Sequence, residues 1–199
     1  MLTLEKPKTA LLVMDFQNDI VDPEGSFGRQ GMAAQVAEKK AIENTARAMT
    51  AARSKGVPVI HVAVAFRPGH PEINQAVPLF AGIKKANALV EGSWGADFHP
   101  GVAPAAGELT VIKRGVSALA GTDLNQIFRG RSISIVVLAG IATNFVVEGT
   151  ARDAADNGYQ VIVLKDCCAS FTNEMHNFSL SLLPQLATLA TADEFAAAL

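Results

Sequence analysis

The stretch from residue 133 to residue 166 limits the possible folds more than any other part of the chain. It opens on Ile133-Ser134-Ile135-Val136-Val137-Leu138, a short apolar, β-branched run suited to a strand buried on both faces. Ala139-Gly140 ends the run, and Thr143 or Asn144 offers an N-cap for a helix reaching about Asn157. Val147, Ala151 and Ala154 share one helical face, while Glu148, Arg152 and Asp156 form a charged stripe at i,i+4 spacing. Gly158 stops the helix, and Tyr159-Gln160-Val161-Ile162-Val163-Leu164 reads as a second buried strand. Strand, helix, strand in this order predicts a right-handed βαβ unit. Its chemistry belongs where the first strand ends and the helix N-terminus offers free N–H groups.

The rest of the chain extends the same pattern. Residues 9–14 are a continuous apolar run ending in Asp15, which places a carboxylate at the carboxyl edge of the predicted sheet. Turn residues follow at Asp22-Pro23-Glu24-Gly25. Residues 33–55 read as one long amphipathic helix stopped by Gly56, and residues 57–64 as a strand with Pro58 near its start. Residues 66–100 hold eight of the prolines and glycines that break regular structure, and an insertion of this kind is usually functional. Its aromatics, Phe66, Phe80, Trp94 and Phe98, suit an apolar pocket and equally suit packing on the domain or on a neighbouring subunit. Leu109-Thr110-Val111-Ile112 is a short strand leading into Lys113, and residues 123–128 form a short helix. Beyond Asp166 the pattern predicts a helix near 174–183, a short strand near 187–190 and a terminal helix.

These elements predict a three-layer α/β/α sandwich around a mostly parallel sheet of about six strands, Rossmann-like in plan. With 199 residues and neither repeat nor linker, residues 1–199 read as one domain. The hydrophobic fraction of 49% argues against disorder. Net charge −2 gives no electrostatic case for nucleic acid or an anionic membrane. No apolar run reaches membrane-spanning length and the first residues carry no signal-peptide pattern, so the expected location is cytoplasmic. Cys167 and Cys168 are adjacent, which disfavours a disulfide between them.

Three motifs together resemble the isochorismatase-like hydrolases, the group of nicotinamidases, N-carbamoylsarcosine and ureidoacrylate amidohydrolases and isochorismatase. They are Val13-Met14-Asp15-Phe16-Gln17, Lys113 with Ser117 and Gly121-Thr122-Asp123-Leu124 downstream, and Gly140-Ile141-Ala142-Thr143-Asn144 with Thr150-Ala151-Arg152-Asp153-Ala154. The similarity covers nearly the whole chain and is weakest over 66–100. It implies the isochorismatase fold, with Asp15 and Lys113 as a catalytic pair. It also implies a non-proline cis peptide at Ile141–Ala142 and an oxyanion-binding turn of Ile141, Ala142 and Val146. Most members carry a nucleophilic cysteine two residues after the position of Asn144; here Val146 stands there. Isochorismatase itself has a small residue at that position and adds water to a vinyl ether. This chain has Ala142-Thr143-Asn144 where those enzymes have Tyr-Ala-His, so its turn resembles the amidohydrolase branch.

The implied function is hydrolysis of a small molecule at an amide, ureide or vinyl-ether bond, and the alternative is a relative that binds its ligand without turnover. An Asp beside a Lys stays ionised, while burial pushes both towards neutrality, so a proton can move near neutral pH. The same two residues also make a structural ion pair. The expected substrate pocket comprises Phe16, Gln17, Phe66, Trp94, Ser117, Thr143 and Asn144. Cys167 and Cys168 read as small buried hydrophobes, and Ser117, Thr143 and Thr150 as hydrogen-bonding hydroxyls. No histidine spacing matches zinc, and Phe66-Arg67-Pro68-Gly69-His70 does not reproduce the ligand set of zinc-binding relatives, so neither metal nor cofactor is expected. A dinucleotide site needs a glycine-rich turn after the first strand, and a receiver domain an acidic cluster; neither is present. The resemblance further implies a homodimer or homotetramer.

Overall fold

A computed structural model describes residues 2–199. Six parallel strands form one sheet: β1 (Thr9–Met14), β2 (Val59–Val64), β3 (Leu109–Lys113), β4 (Ile135–Ile141), β5 (Gln160–Ala169) and β6 (Thr188–Ala190). Their order is β3-β2-β1-β4-β5-β6, so the direction of winding reverses between β1 and β4. In doubly wound sheets, that reversal opens a crevice beyond the strand ends. Asp15 follows β1 there, directly across from the end of β4.

Alternate residues of the strands feed two cores. Leu11, Val13, Val137 and Ile162 pack with helices α2 (Met32–Glu38), α3 (Ala41–Ser54) and the later α8 (Ala192–Ala198). Leu12, Met14, Val136 and Val163 face α5 (Leu124–Gly130) and α6 (Glu148–Asp156). Two further helices, α4 (Pro78–Ala86) and α7 (Asn173–Leu182), and the short α1 (Asn18–Val21) stand near the carboxyl edge. The result is the expected α/β/α sandwich. Strands β1, β2 and β4 are buried at every position, which is why their sequences run apolar without alternation.

Several local expectations change. The long helix over 33–55 is two helices, broken where Lys40 takes a left-handed backbone, φ 51°. No glycine or proline marks the break. It is held instead by Asn44, whose side-chain amide donates to the carbonyls of Lys39 (3.2 Å) and Asp166 (2.8 Å), so tertiary contacts override helix propensity. Strand β5 runs on to Ala169 and takes in both cysteines. Between β4 and α6 lies a π-helical turn, Thr143–Val147, and neither Thr143 nor Asn144 caps a helix with its side chain. Both are bound elsewhere: Thr143 Oγ1 shares a 2.8 Å hydrogen bond with His176 Nδ1 of α7, and Asn144 Oδ1 accepts from the Ser170 hydroxyl at 2.7 Å.

Candidate functional site

The chain arrives at Asp15 straight from β1, and the Asp15 N–H still donates to Val62 O at 2.9 Å. The residue then turns sharply, at φ 60°, a left-handed conformation that Asp tolerates better than most side chains. Its side chain reaches over the sheet edge towards the last residue of β3. Asp15 Oδ2 and Lys113 Nζ lie 2.9 Å apart, and both residues are buried, 5% and 2% exposed. Lys113 Nζ also donates to the carbonyls of Gly115 (2.8 Å) and Val116 (2.9 Å). An ammonium has three hydrogens, and these three contacts use all of them.

Asp15 is less fully satisfied. Its Oδ1 is buried, and no hydrogen-bond partner meets it among the described residues. Burial raises the Asp15 carboxyl to about 6; the attraction and hydrogen bond of Lys113, and after them the nearby Val64 N–H, whose hydrogen bond goes to Gln17 Oε1, offset only part of that rise. The site thus holds a carboxyl that titrates close to neutral pH and has one open oxygen.

A cavity of about 110 Å³ opens beside the pair. Val64, Gly115, Val116, Ile141 and Ala142 line its sheet side, and the Ile141–Ala142 peptide bond is cis. The opposite walls come from separate segments: Ile20, Phe27 and Met32 before and at the start of α2, then Leu79, Phe80, Ile83 and Leu89 in and after α4. Phe145 of the π-helical turn and Phe171 beyond β5 complete them. Asp19 ties two of these walls together, its Oδ2 accepting from Leu89 N–H (2.7 Å) and its Oδ1 from Ser26 N–H (3.0 Å). Phe27 N–H donates to the Asp19 carbonyl at 2.7 Å. Glycine is required beside Phe27, because a Cβ on Gly28 would lie 1.7 Å from Asp22 O.

Of the residues marked in the sequence, the structure brings Asp15, Lys113, Ile141 and Ala142 together at this cavity. Val146 is 1% exposed and packs in the core between the sheet and α5–α6; its neighbour Phe145 lines the cavity instead. Phe16, Gln17, Phe66, Trp94, Ser117, Thr143 and Asn144 are not part of the lining. Gln17 is buried behind the site, exchanging hydrogen bonds with Val64 and donating to Ala96 O, each at 2.9 Å. Phe66 lies in the core against Phe80, and Trp94 points outward, 51% exposed. Ser117 Oγ accepts from Leu119 N–H at 3.2 Å. The wall residues Phe27, Phe145 and Phe171 carry no motif, and only their shared position at strand and turn ends marks them. Burial raises the thiol pKa of both cysteines, Cys168 to about 12, so neither offers a thiolate near neutrality. No group of three His, Cys, Asp or Glu residues poised for a metal ion occurs among the described residues.

Comparison with known proteins bears on the fold and the family. The family model described as Isochorismatase domain matches residues 9–194. The chain is 32% identical to the isochorismatase family protein YwoC of Bacillus subtilis, over 98% of this chain and 95% of that protein. It is 30% identical to maleamate amidohydrolase of Pseudomonas putida, over 87% of this chain and 78% of the enzyme. Among solved structures, an isochorismatase-like hydrolase from Alkaliphilus metalliredigens superposes with a TM-score of 0.79 at 32% identity. That match covers 96% of this chain and 98% of the other. A fold with this strand order, matched from end to end by relatives of this identity, has one assignment: the chain belongs to the isochorismatase family of hydrolases.

Proposed function

We propose that this chain hydrolyses a small molecule, at an amide or ureide C–N bond or a vinyl-ether C–O bond, with Asp15 and Lys113 as its acid/base pair and no cysteine nucleophile. The observation that carries this reading is the open, buried Oδ1 of a carboxyl raised to about 6. Similarity to a maleamate amidohydrolase, and to a ureidoacrylate amidohydrolase of Methylobacterium radiotolerans that is 30% identical, supports the C–N case. There the Asp15 carboxylate takes a proton from water as the water oxygen bonds to the carbonyl carbon. The same proton then goes to nitrogen as the C–N bond breaks. In the C–O case the neutral carboxyl would protonate the alkene carbon, water would add to the adjacent cation and return a proton to the Asp15 carboxylate, and the resulting hemiketal would collapse to a carbonyl and an alcohol as the C–O bond breaks. Lys113, pinned by two carbonyls, holds the carboxyl in place for either step.

The pH profile tests the assignment. If Asp15 acts as base, kcat/KM on an amide climbs as pH rises through about 6 and then levels; acid chemistry on a vinyl ether falls over the same interval. Asp15→Asn should cost about 10²–10⁴-fold in either case. One observation favours a second reading, a binding protein without turnover: Val146, which by resemblance stands at the usual nucleophile position, is packed into the core. A ligand that raises the melting temperature yet is never consumed, across amides, ureides and vinyl ethers, would establish that reading. We also propose a homodimer or homotetramer, since Met175 and Phe178 stand 47% and 67% exposed one turn apart on α7. Sedimentation at the monomer mass at micromolar concentration would refute assembly.

A further inference from the structure

We infer that the ligand of this cavity is a neutral carboxamide or ureide carrying a hydrocarbon group no larger than one ring, and that the site rejects carboxylates. This rests on the proposed reading of the Asp15–Lys113 site, which it narrows to one substrate class. Three observations lead to it.

The first is the wall. Sixteen residues line the cavity, and Asp15 and Lys113 are the two with polar side chains; the others present hydrocarbon, a thioether or a glycine. Buried charge is tolerated only where a partner meets it, and a second charged group on the ligand finds none here. Arg114, the nearest cation in sequence, is held elsewhere, by Ala65 O and by Glu91 and Glu72.

The second is the lysine itself. Its three hydrogens are committed to Asp15, Gly115 and Val116, so Lys113 has none left with which to grip an anion. The open polar atom is Asp15 Oδ1, an acceptor. An amide or ureide N–H can satisfy it. A carboxylate would meet it as a like charge.

The third is size. A volume of about 110 Å³ is somewhat below the ~150 Å³ of an engineered apolar cavity that takes up benzene. The enclosed volume therefore takes at most one six-membered ring, or a smaller branched chain, and leaves the rest of the ligand at the opening beside Asp15 and Lys113. A ring heteroatom would find no side-chain donor in the wall, so a plain hydrocarbon ring is preferred.

The test is calorimetric titration of the full chain at pH 7.5 with benzamide, para-methylbenzamide and para-carboxybenzamide, the last two matched in shape. The expected result is measurable benzamide binding, with para-methylbenzamide at least about tenfold tighter than para-carboxybenzamide. In Leu79→Arg, which adds a cation at a partly buried position of the wall, the gap should close or reverse. Equal or tighter binding of para-carboxybenzamide by the parent protein overturns the inference, and so does failure of both neutral amides to bind. Because the readout is binding, its failure is separable from that of the hydrolase reading. Neutral amides bound with this preference but never cut uphold the ligand class and sink the hydrolase. A carboxylate-bearing amide cut in preference to its neutral match does the reverse.

Discussion

On the proposed reading, the side chain at position 146 decides how the site would work. A valine has neither a proton to lose nor a lone pair to share, so in the proposed reaction bond cleavage would fall to water and to Asp15. Val146→Cys is close to volume-conserving and should change stability by less than about 1.5 kcal/mol. The new thiol would sit in the turn that opens α6, where the helix N-terminus favours a thiolate. We expect it to alkylate with iodoacetamide at pH 7 faster than the parent cysteines, which burial keeps protonated, but more slowly than a free thiol because the position is closed to solvent. Mass spectrometry of the labelled peptide measures this, and labelling at the parent rate would contradict it. Asp15 and Lys113 were legible from sequence because each ends an apolar strand, and parallel strands bring their ends to one edge. Trp94 and Phe66 misled for the opposite reason. Aromatic character says that a side chain will bury area, but not against which neighbour.

At the scale of elements, the cavity is made where segments distant in sequence are tied together. Asp19 holds residue 26 and residue 89 with one carboxylate. Removing it in Asp19→Ala leaves two backbone N–H groups without their acceptor and should cost about 2–4 kcal/mol, measured as the shift of the urea midpoint. Gly95→Ala should approach the same outcome by another route, since its Cβ would lie 2.2 Å from Asp19 Oδ2. Such ties are hidden from a linear reading. Ile20, Phe27, Leu79, Phe80 and Phe171 share no spacing, so no periodicity collects them into a wall. The break at Lys40 is hidden similarly, because what holds it is Asn44 bonding to β5. The βαβ unit, by contrast, is local and readable from its own residues except at its junction, where the π-helical turn answers to α7, and at the far end of β5, which runs on to Ala169.

For the whole molecule, titration of buried groups sets the response to acid. His176 is lowered to about 4, first by burial and then by Lys39. A depressed folded value means that its contribution is present above 6.5 and is lost as pH falls through about 4. Glu108 is lowered to about 2, chiefly by its hydrogen bonds with Arg53, and its contribution is lost from about 4.5 downward. Asp15 runs the other way: raised from 3.8, it favours the folded state below that value and ceases to do so as pH passes about 6. The histidine and Glu108 together should dominate. His176→Gln should flatten the loss of stability between pH 6.5 and 4 by about 2 kcal/mol in denaturant titrations, and an unchanged slope would remove His176 from this account.

If the chain hydrolyses amides as proposed, the hydrocarbon wall would also give the reaction a direction. An amide enters this cavity uncharged, but hydrolysis turns it into an acid that ionises at neutral pH. The product therefore gains a charge inside a chamber whose only cation is already spoken for. Its escape to water would be favoured by the same desolvation that disfavours anions there, so the site would empty itself by altering what it holds.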